Sequence, residues 1–443
     1  MYGVVQMEVN KYVVSAKDTV LVGQIFGCKV YQLAKVEFVC ASEWEDERDQ
    51  VYVEGLREML ENKCFYFSDS YDLTNSLQTF VHSGCSMKGR RKEYMFNEVW
   101  TREFQALSAD EWITPFISGF ASLRLIHYKN SKCTEAILIS RRSTGRQGVN
   151  VHSRGADLEG NTANTAETEM ILQIEENRKR EVFAYVQLRG LMPFLWKQAP
   201  TFDLDRGYTI HPDDALNEEV MRKHFEKIRE SYGKVTLINL IRRGRKESKL
   251  GEYYQSVNRK LEEFGFKYVW FDFHKECTEG SFANIARLEN EIHNQLEDYG
   301  YFHLEIQDPL SPMAKVSRKS AQTGVFRTNC LGCIDRTNIA QYFIGRQVSL
   351  VWLRKLGFEG DEGFSSFGKL VFEEEDYDES FRLQWKNNGN IISTLYSGTP
   401  SLKSDLTKIG RMTLKGYLSD GKKLARRYVL ENFYDHKQQV LIA

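Results

Sequence analysis

The sequence predicts a mixed α/β fold, in which a strand-rich amino-terminal subdomain packs on a larger α/β domain. Residues 2–40 alternate apolar and polar positions with glycines between them, which is the pattern of a meander of antiparallel strands. Beyond about residue 109, short apolar runs alternate with helical patterns, which is typical of α/β domains. We therefore predict an amino-terminal subdomain over residues 1–108 and a larger domain over residues 109–443.

The composition indicates a folded protein from a reducing compartment. Hydrophobic residues make up 42% and charged residues 27% of the 443 positions, and no apolar run approaches the ~18 residues of a membrane-spanning helix. The formal net charge of −1 gives no indication of nucleic-acid binding, so any anion site must be local. The 8 cysteines are irregularly spaced apart from Cys330 and Cys333, which favours a cytoplasmic location. Because a strand pattern begins at Tyr2, we expect the chain to be one module of a longer protein, with its first strands missing.

Two helices are predicted in the amino-terminal subdomain. Residues 42–62 are highly charged but carry a weak apolar stripe, which indicates a surface helix. Either Asp72 or Thr74 is placed to cap the helix that follows.

The larger domain is predicted to alternate strands and helices. A polar, glycine-punctuated run from Arg154 is expected to open a helix at about Thr165. An acidic segment from Glu359 to Glu379 is expected to form a solvated loop and a helix. The predicted buried strands lie at residues 136–139, 182–190, 235–241 and 268–274, and the other predicted helices at about residues 250–264 and 280–296.

The chain is organised around a loop that joins a buried strand to a helix. The residues from Gly324 to Phe326 have the pattern of a strand end, and the apolar residues from Ile339 to Leu350 recur at helical spacing. The loop between them therefore lies at a helix N-terminus, where free N–H groups and the helix dipole favour bound anions. Within it, Cys330 and Arg336 are separated by five residues.

These residue types in this order predict a cysteine-dependent phosphatase. A thiolate is favoured at the position of Cys330. Arg336 can offer two parallel N–H bonds to phosphate oxygens, and the Thr337 hydroxyl group can hydrogen-bond the thiolate or the departing sulfur. Such a site attacks phosphorus, forms a phosphocysteine intermediate and releases phosphate by hydrolysis with water.

Two other interpretations stay open for this loop. Cys330 could be a buried cysteine that happens to lie near a surface arginine. Alternatively, Cys330 and Cys333 could form a redox dithiol or half of a zinc site, with His274 and Cys277 as the other half. The phosphatase interpretation is favoured because it alone gives the residues 335–337 a role.

The loop closely resembles the signature of the Sac-domain phosphoinositide phosphatases, R-T-N-C-x-D-C-x-D-R-T-N. Residues 327–338 read R-T-N-C-L-G-C-I-D-R-T-N. Details of the amino-terminal region resemble the synaptojanin-like branch, in which a 5-phosphatase domain follows as a covalent neighbour; this chain lacks that domain, and we expect it in the longer protein. Further similar stretches, which extend the resemblance over nearly the whole chain, lie at residues 65–68, 73–77, 154–169, 182–196, 268–277, 385–390, 396–399 and 403–405.

The resemblance implies removal of ring monoester phosphates from phosphatidylinositol phosphates at a membrane surface, without a metal or other cofactor. The implied substrates are the 3- and 4-phosphates and the 3,5-bisphosphate. By the motif match, Cys330 is the nucleophile, Arg336 the phosphate clamp and Asp335 a candidate acid. The loop residues expected to contact phosphate are Asn329, Leu331, Gly332, Cys333 and Ile334.

Gly332 departs from the signature, because the family has aspartate there. If that carboxylate donates the leaving-group proton or positions water, its absence costs ~10²–10⁴-fold in rate. Gly332 is expected to relax the loop backbone and to leave its N–H groups in place, so phosphate binding should survive better than turnover. A catalytically poor phosphoinositide-binding scaffold and a phosphatase for phosphoproteins or soluble inositol phosphates are therefore the alternatives.

Clusters of arginines outside the loop are expected to meet the lipid surface. Arg154 is instead expected to pair internally with Asp157, Glu167 and Glu169. The predicted lipid-facing arginines are Arg141, Arg142, Arg146, Arg242, Arg243 and Arg245.

Overall fold

A computed structural model describes residues 1–84, 89–128, 132–149, 152–198, 207–244, 246–277, 283–311, 313–357, 375–409 and 413–433. The strands are β1 Gly3–Gln6, β2 Lys11–Ile25, β3 Cys28–Cys40, β4 Phe65–Phe67, β5 Phe116–Tyr128, β6 Lys132–Arg142, β7 Ala166–Glu176, β8 Lys179–Arg189, β9 Trp196–Gln198, β10 Tyr208–Ile210, β11 Lys234–Asn239, β12 Lys267–Trp270, β13 Phe302–Gln307, β14 Lys315–Ser320 and β15 Gly324–Asn329. The helices are α1 Glu47–Leu60, α2 Leu77–His82, α3 Arg102–Ala106, α4 Asp214–Tyr232, α5 Ser248–Lys260, α6 Phe273–Glu276, α7 Ala286–Tyr299, α8 Asp335–Lys355, α9 Glu375–Ser397, α10 Ser404–Ile409 and α11 Leu414–Phe433.

One mixed sheet of 13 strands runs through the chain and confirms the predicted α/β class. Its order is β1-β2-β3-β4-β5-β6-β7-β8-β15-β11-β12, with β13 beside β8 and β14 beside β13. The strands from β1 to β8 pair antiparallel, whereas β8, β15, β11 and β12 pair parallel to their neighbours. The parallel end of the sheet therefore brings together the carboxyl ends of four strands.

The predicted boundary near residue 108 falls within a continuous sheet. Strand β4 precedes that boundary and β5 follows it, yet the two strands pair antiparallel, with Phe65 opposite Ser118. The aromatic side chains of Tyr2, Phe65 and Phe116 also pack into one cluster across it. The division into residues 1–108 and 109–443 stays a prediction, because strand pairing and packing both cross it.

Helices cover both faces of the parallel end of the sheet. Ile238 and Phe326 belong to the same core cluster as helices α7, α8 and α9. Because alternate residues of a strand point to opposite faces, the residues next to them lie on the other face. Their neighbours Leu237 and Val325 pack with helices α4 and α5 on the other face. Strand β15 is buried along its whole length, as expected for a central parallel strand.

The structure corrects two of the local predictions. The helix expected to open at about Thr165 is strand β7, whose first nine residues are all buried and which pairs along its length with β6 and β8. A segment buried on both faces is stabilised better by two neighbouring strands than by its own helical hydrogen bonds.

The cap of α2 is Ser76, not Asp72 or Thr74, because the Asp72 carboxylate is already occupied by the N–H and hydroxyl groups of Thr74. Most of the acidic segment predicted at 359–379 lies outside the described residues.

Strand β15 is fastened to helix α4 by a buried arginine–histidine contact. Arg327 Nε donates a hydrogen bond to His224 Nε2 at 2.9 Å, so that nitrogen must be unprotonated. His224 Nδ1 therefore carries the proton and donates it to the Gly160 carbonyl oxygen at 2.8 Å. Burial, and then the positive charge of Arg327, hold the pKa of His224 well below its ordinary value of 6.5.

This depressed pKa predicts a loss of stability in mild acid. In the unfolded chain His224 takes up a proton as the pH falls through about 6.5, whereas the folded chain resists it, so folding stability is present above that pH and lost below it. The contribution of this one group is at most ~1.4 kcal/mol per pH unit. Denaturant unfolding measured from neutral to mildly acidic pH should show a smaller acid loss for His224→Gln than for the native chain.

His293→Gln is the matched control, because His293 lies exposed on helix α7. Its unfolding free energy should keep the pH dependence of the native chain. An identical acid loss in His224→Gln and the native chain would show that His224 is not the group responsible.

Candidate active site

The predicted strand, loop and helix are present, and Cys330 lies between them. Strand β15 ends at Asn329 and helix α8 begins at Asp335, so the loop of residues 330–334 sits at a helix N-terminus as expected. The left-handed backbone position in this loop is Cys333, with φ of 51°, whereas Gly332 has an ordinary backbone conformation. The tight turn is therefore made one residue after the glycine, and the relaxing effect expected of Gly332 stays a prediction.

Two side chains from the run between β6 and β7 brace the loop from outside. Asn164 Nδ2 donates hydrogen bonds to the carbonyl oxygens of Gly332 at 2.8 Å and Cys333 at 3.3 Å. Arg154 Nη1 donates to the carbonyl oxygen of Leu331 at 3.1 Å. Because three successive carbonyl groups are occupied by these donors, the loop is fixed in one conformation before any anion binds.

The surroundings of the buried Cys330 thiol favour its ionised form. Burial alone would raise its pKa, but the thiol of Cys333 and the positive charge of Arg336 outweigh that penalty. The Thr337 hydroxyl group and the Gly332 N–H act in the same direction, so the pKa of Cys330 lies well below its ordinary value. Burial, together with the neighbouring Cys330, raises the pKa of Cys333 well above its usual range. Cys330 is thus the more acidic thiol of the pair, while the Cys333 thiol donates to the Cys330 carbonyl oxygen at 3.5 Å.

A carboxylate that the sequence analysis missed holds Arg336, the predicted phosphate clamp. Arg336 Nη1 lies 3.0 Å from Glu247 Oε2 and donates to the Leu240 carbonyl oxygen at 3.1 Å. Burial would raise the pKa of Glu247, but the charge and hydrogen bond of Arg336 lower it overall. Glu247 follows strand β11 within a basic run, and an acidic residue at the carboxyl end of a parallel strand was the available signal.

Arg189 places a second positive charge near the thiolate. It is the last residue of β8 and lies opposite Thr328 in the pairing of β8 with β15. Its guanidinium group is fully buried and donates to the amide oxygens of Asn338 and, at 2.5 Å, Gln341. Burial lowers the pKa of Arg189 to about 10, and the thiols of Cys333 and Cys330 oppose that lowering. Since its hydrogen-bond partners are neutral, the neighbouring thiols of Cys333 and Cys330 are the groups whose ionisation would favour this buried cation.

Asp335 is engaged in contacts that do not suit proton donation. Its Oδ2 lies 3.0 Å from Arg427 Nη1, and its Oδ1 accepts from the Leu402 N–H at 2.6 Å and the Ser401 hydroxyl at 3.1 Å. Both carboxylate oxygens are thus occupied by donors from within the protein, whereas a general acid must be free to meet the departing oxygen. These contacts instead fasten the start of α8 to α11.

The Cys-x5-Arg loop forms the floor of a cavity of about 790 Å³. The thiolate residue Cys330 and the clamp Arg336 both line it, as do Arg154 and Gln198 on one side. Helix α11 contributes the opposite wall. The volume is sufficient for a phosphorylated six-membered ring, because small-molecule sites have volumes of about 300–1,000 Å³.

The structure reverses the roles expected for several arginines. Arg141 is not lipid-facing: it is fully buried and paired with Glu167 and, at 2.9 Å, Glu169. Arg142 is also buried, and it donates to the carbonyl oxygens of Leu395 at 3.1 Å and Gly148 at 2.8 Å.

Arg146 is half-buried and donates to the carbonyl oxygen of Arg154, so it too has an internal role. The internal carboxylate pairing expected for Arg154 is not found, because that side chain braces the loop and contacts Gln198 at 2.6 Å. Arg243 is exposed and lies over the Trp270 ring, Arg242 is half-buried, and Arg245 lies outside the described residues.

The composite zinc site is not assembled. His274 is close to Arg336 and Arg242, and burial together with these charges lowers the pKa of His274 to about 4. Cys277 is buried, and burial raises its pKa to about 12. In the part of the chain that the structure describes, no group of three or more histidine, cysteine, aspartate or glutamate side chains is arranged to hold a metal ion. Also within the described residues, the helices are all too short or too polar to cross a bilayer.

The fold places the Cys-x5-Arg loop in a cavity at the carboxyl edge of the parallel strands. The model of the SacI homology domain family matches residues 1–278. The chain therefore belongs to that family, and the predicted Sac resemblance is confirmed.

Relatives from three kingdoms match nearly the whole chain. It is similar to the phosphoinositide phosphatase SAC7 of Arabidopsis thaliana, with 30% identity over 99% of this chain and 72% of the relative. It is also similar to the phosphatidylinositol-3-phosphatases SAC1 of Drosophila melanogaster (31% identity, 97% of this chain and 71% of the relative) and of Saccharomyces cerevisiae (30% identity, 99% and 70%). These comparisons give no support to the expected 5-phosphatase neighbour.

Replacing Arg189 with methionine should raise the pKa of Cys330. The change removes a buried positive charge but keeps a long apolar stem. We expect the alkylation of Cys330 by iodoacetamide, followed by mass spectrometry across a range of pH, to shift to higher pH, with a rate about threefold to tenfold lower in mild acid.

Arg178→Met is the control, because Arg178 is exposed at the other end of β8. Its alkylation profile should match that of the native chain. A profile unchanged in Arg189→Met would mean that Arg189 supports the fold without stabilising the thiolate.

Proposed function

We propose that this chain is a phosphoinositide phosphatase that removes ring monoester phosphates from phosphatidylinositol phosphates at a membrane surface. The observation that carries the proposal is the buried Cys330, with its pKa held well below the ordinary value, beside Arg336 on the floor of an open cavity. The names of the relatives, which include phosphatidylinositol-3-phosphatases, support the substrate class. The proposed positions are the 3- and 4-phosphates and the 3,5-bisphosphate.

The proposed reaction has two steps. The Cys330 thiolate attacks phosphorus, an S–P bond forms, and the P–O bond to the ring oxygen breaks. Arg336, oriented by Glu247, holds two phosphate oxygens while the N–H groups of the loop and the α8 N-terminus hold the charge that develops. Water then attacks phosphorus, which releases inorganic phosphate and restores the thiolate.

The supply of a proton to the departing ring oxygen is the weak point of this site. Gly332 has no side chain to donate one, and the Asp335 carboxylate is committed to Arg427, Ser401 and Leu402. Asp335 is the one carboxyl group among the described residues that line the cavity, so we propose that solvent supplies the proton. The chemical step is therefore proposed to be slow, while phosphate binding by the loop and Arg336 remains intact.

This weakness favours one second candidate, a phosphoinositide-binding Sac scaffold with little turnover. The two candidates share the same ligand contacts and differ in rate alone. Turnover of water-soluble short-chain phosphatidylinositol 3- and 4-phosphate, measured beside a phosphotyrosine peptide, distinguishes them. Phosphate release from the lipids but not the peptide supports the phosphatase, whereas lipid binding without release supports the scaffold.

Cys330→Ser should abolish turnover and leave the fold intact. A serine hydroxyl group is a far weaker nucleophile than a thiolate near neutral pH, so phosphate release should fall by a factor of at least ~10³. Phosphate release and the thermal midpoint of unfolding are the two measurements. Unchanged turnover would refute the phosphocysteine mechanism.

Cys333→Ser is the matched control for that change. Its hydroxyl group can replace the thiol that donates toward Cys330, so most activity should remain. Cys333→Ala lacks the donor, and its pH–rate profile should shift to higher pH as the pKa of Cys330 rises.

Gly332→Asp should raise the rate with little change in affinity. A Cβ atom at Gly332 would lie 3.5 Å from Ile334 Cγ1 and 3.9 Å from Arg154 Nη1, which are ordinary contacts, so a Cβ atom is accommodated there. A carboxyl group that acts in the transition state raises kcat and leaves KM nearly unchanged, and we expect a gain of about tenfold or more.

Gly332→Asn tests the same shape without an ionisable group and should give no gain. A slower Gly332→Asp enzyme beside a native-like Gly332→Asn enzyme would contradict the prediction. It would mean that Arg154 forms an ion pair with the new carboxylate, which then cannot donate a proton to the departing oxygen.

A further inference from the structure

Helix α11 has a face that the fold leaves uncovered. The side chains of Tyr417, Leu418, Leu424 and Val429 are 53%, 66%, 57% and 45% exposed. Tyr417 and Leu424 are seven residues apart, as are Leu418 and the exposed Ala425, so these side chains share one stripe of the helix. No described residue covers this stripe. An exposed apolar stripe of this size on a helix is typical of an interaction surface.

The opposite face of α11 is firmly anchored to the site. Arg427 is buried, pairs with Asp335 at 3.0 Å and donates to Thr399 Oγ1 at 3.0 Å. Lys423 donates to the carbonyl oxygen of Ser401 at 2.8 Å, and the N–H of Lys403 donates to Asp420 at 2.7 Å. The uncovered stripe is therefore held in a fixed orientation relative to the catalytic loop.

The stripe adjoins the mouth of the catalytic cavity. Leu424, Ala425 and Val429 belong both to the stripe and to the cavity lining. Anything that covers the stripe must therefore also face the opening above Cys330. Because these three residues belong to both, a surface that contacts the stripe also contacts part of the cavity lining.

Basic side chains flank the stripe on one side. Lys415, Lys422 and Arg426 are exposed and follow one another at intervals of seven and four residues, which places them on one line along the helix. A helix with an apolar face bordered by exposed cations is typical of segments that lie in the headgroup region of an anionic bilayer.

We propose that the apolar face of α11 inserts into the headgroup region of an anionic membrane and thereby presents the cavity to lipid headgroups. This proposal rests on the proposed function, since it concerns how a membrane-bound substrate reaches Cys330. A bilayer is favoured over a protein partner because its apolar interior, anionic surface and substrate headgroups match the stripe, the cations and the cavity in one plane.

The test uses Tyr417→Gln/Leu418→Gln in the full chain, because neither residue lines the cavity. Flotation and phosphate release are measured with vesicles of phosphatidylcholine, phosphatidylserine and a small fraction of phosphatidylinositol 4-phosphate. Both should fall by about tenfold or more, because two exposed apolar side chains lose their burial in the membrane. Turnover of water-soluble short-chain phosphatidylinositol 4-phosphate should be unchanged.

Leu310→Gln/Met313→Gln is the matched control. These residues are still more exposed, at 88% and 83%, and they lie in the turn after β13. Strand β13 pairs with the amino-terminal part of β8, whereas β8 reaches the site at its carboxyl end. This variant should float and release phosphate like the native chain. A second variant, Lys415→Glu/Lys422→Glu, should lose the attraction to phosphatidylserine, so that its remaining flotation no longer depends on salt.

The outcomes separate this proposal from the proposed function. Native-like flotation and vesicle turnover in Tyr417→Gln/Leu418→Gln would overturn the role of α11, whatever the activity on the soluble substrate. Absence of turnover on both substrates in the native chain would overturn the phosphatase. In that case a loss of flotation in the variant would still support membrane docking through α11.

Discussion

The site depends on burying guanidinium groups without giving each of them a carboxylate. Arg189 and Arg142 are buried with neutral hydrogen-bond partners, and burial lowers the pKa of each to about 10. Arg327 is likewise buried against a neutral histidine and a carbonyl oxygen. Removing a cation from water costs several kcal/mol unless an anion compensates it. At Arg189 the nearby thiols of Cys333 and Cys330 oppose that cost, and a thiolate there would be stabilised by the buried cation.

Local pattern was sufficient to predict the strand, the loop and the helix around Cys330. Their signals are continuous apolar runs and a motif within thirteen residues, and no distant contact is needed to interpret them. The residues that tune the site could not be found in this way. Glu247, Arg189 and Asn164 come from three other elements, and only the strand order of the sheet brings them to one edge.

The arginines show that one wrong secondary-structure prediction leads to wrong predicted roles for the residues that pair with that segment. Arg141 lies directly opposite Glu167 in the pairing of β6 with β7. A helix from Thr165 would offer Arg141 no cross-strand partner. The sequence analysis therefore predicts that Arg141 faces the lipid surface. The sequence analysis assigns those carboxylates to Arg154. In the structure they pair with Arg141, and Arg154 braces the loop instead. Register, rather than composition, decides which basic residues face inward.

Asp335 connects the loop that carries Cys330 to helix α11. The sequence motif suggests that it donates a proton, but its carboxylate is the link between the first residue of α8 and Arg427 of α11. The same ion pair therefore fixes the catalytic loop and the helix with the uncovered apolar face. Under the proposal for α11, a membrane that orients this helix would also act on the loop through that ion pair. The carboxylate that is unsuitable as an acid is thus well placed to couple the position of the chain on a surface to the position of the thiolate beneath it.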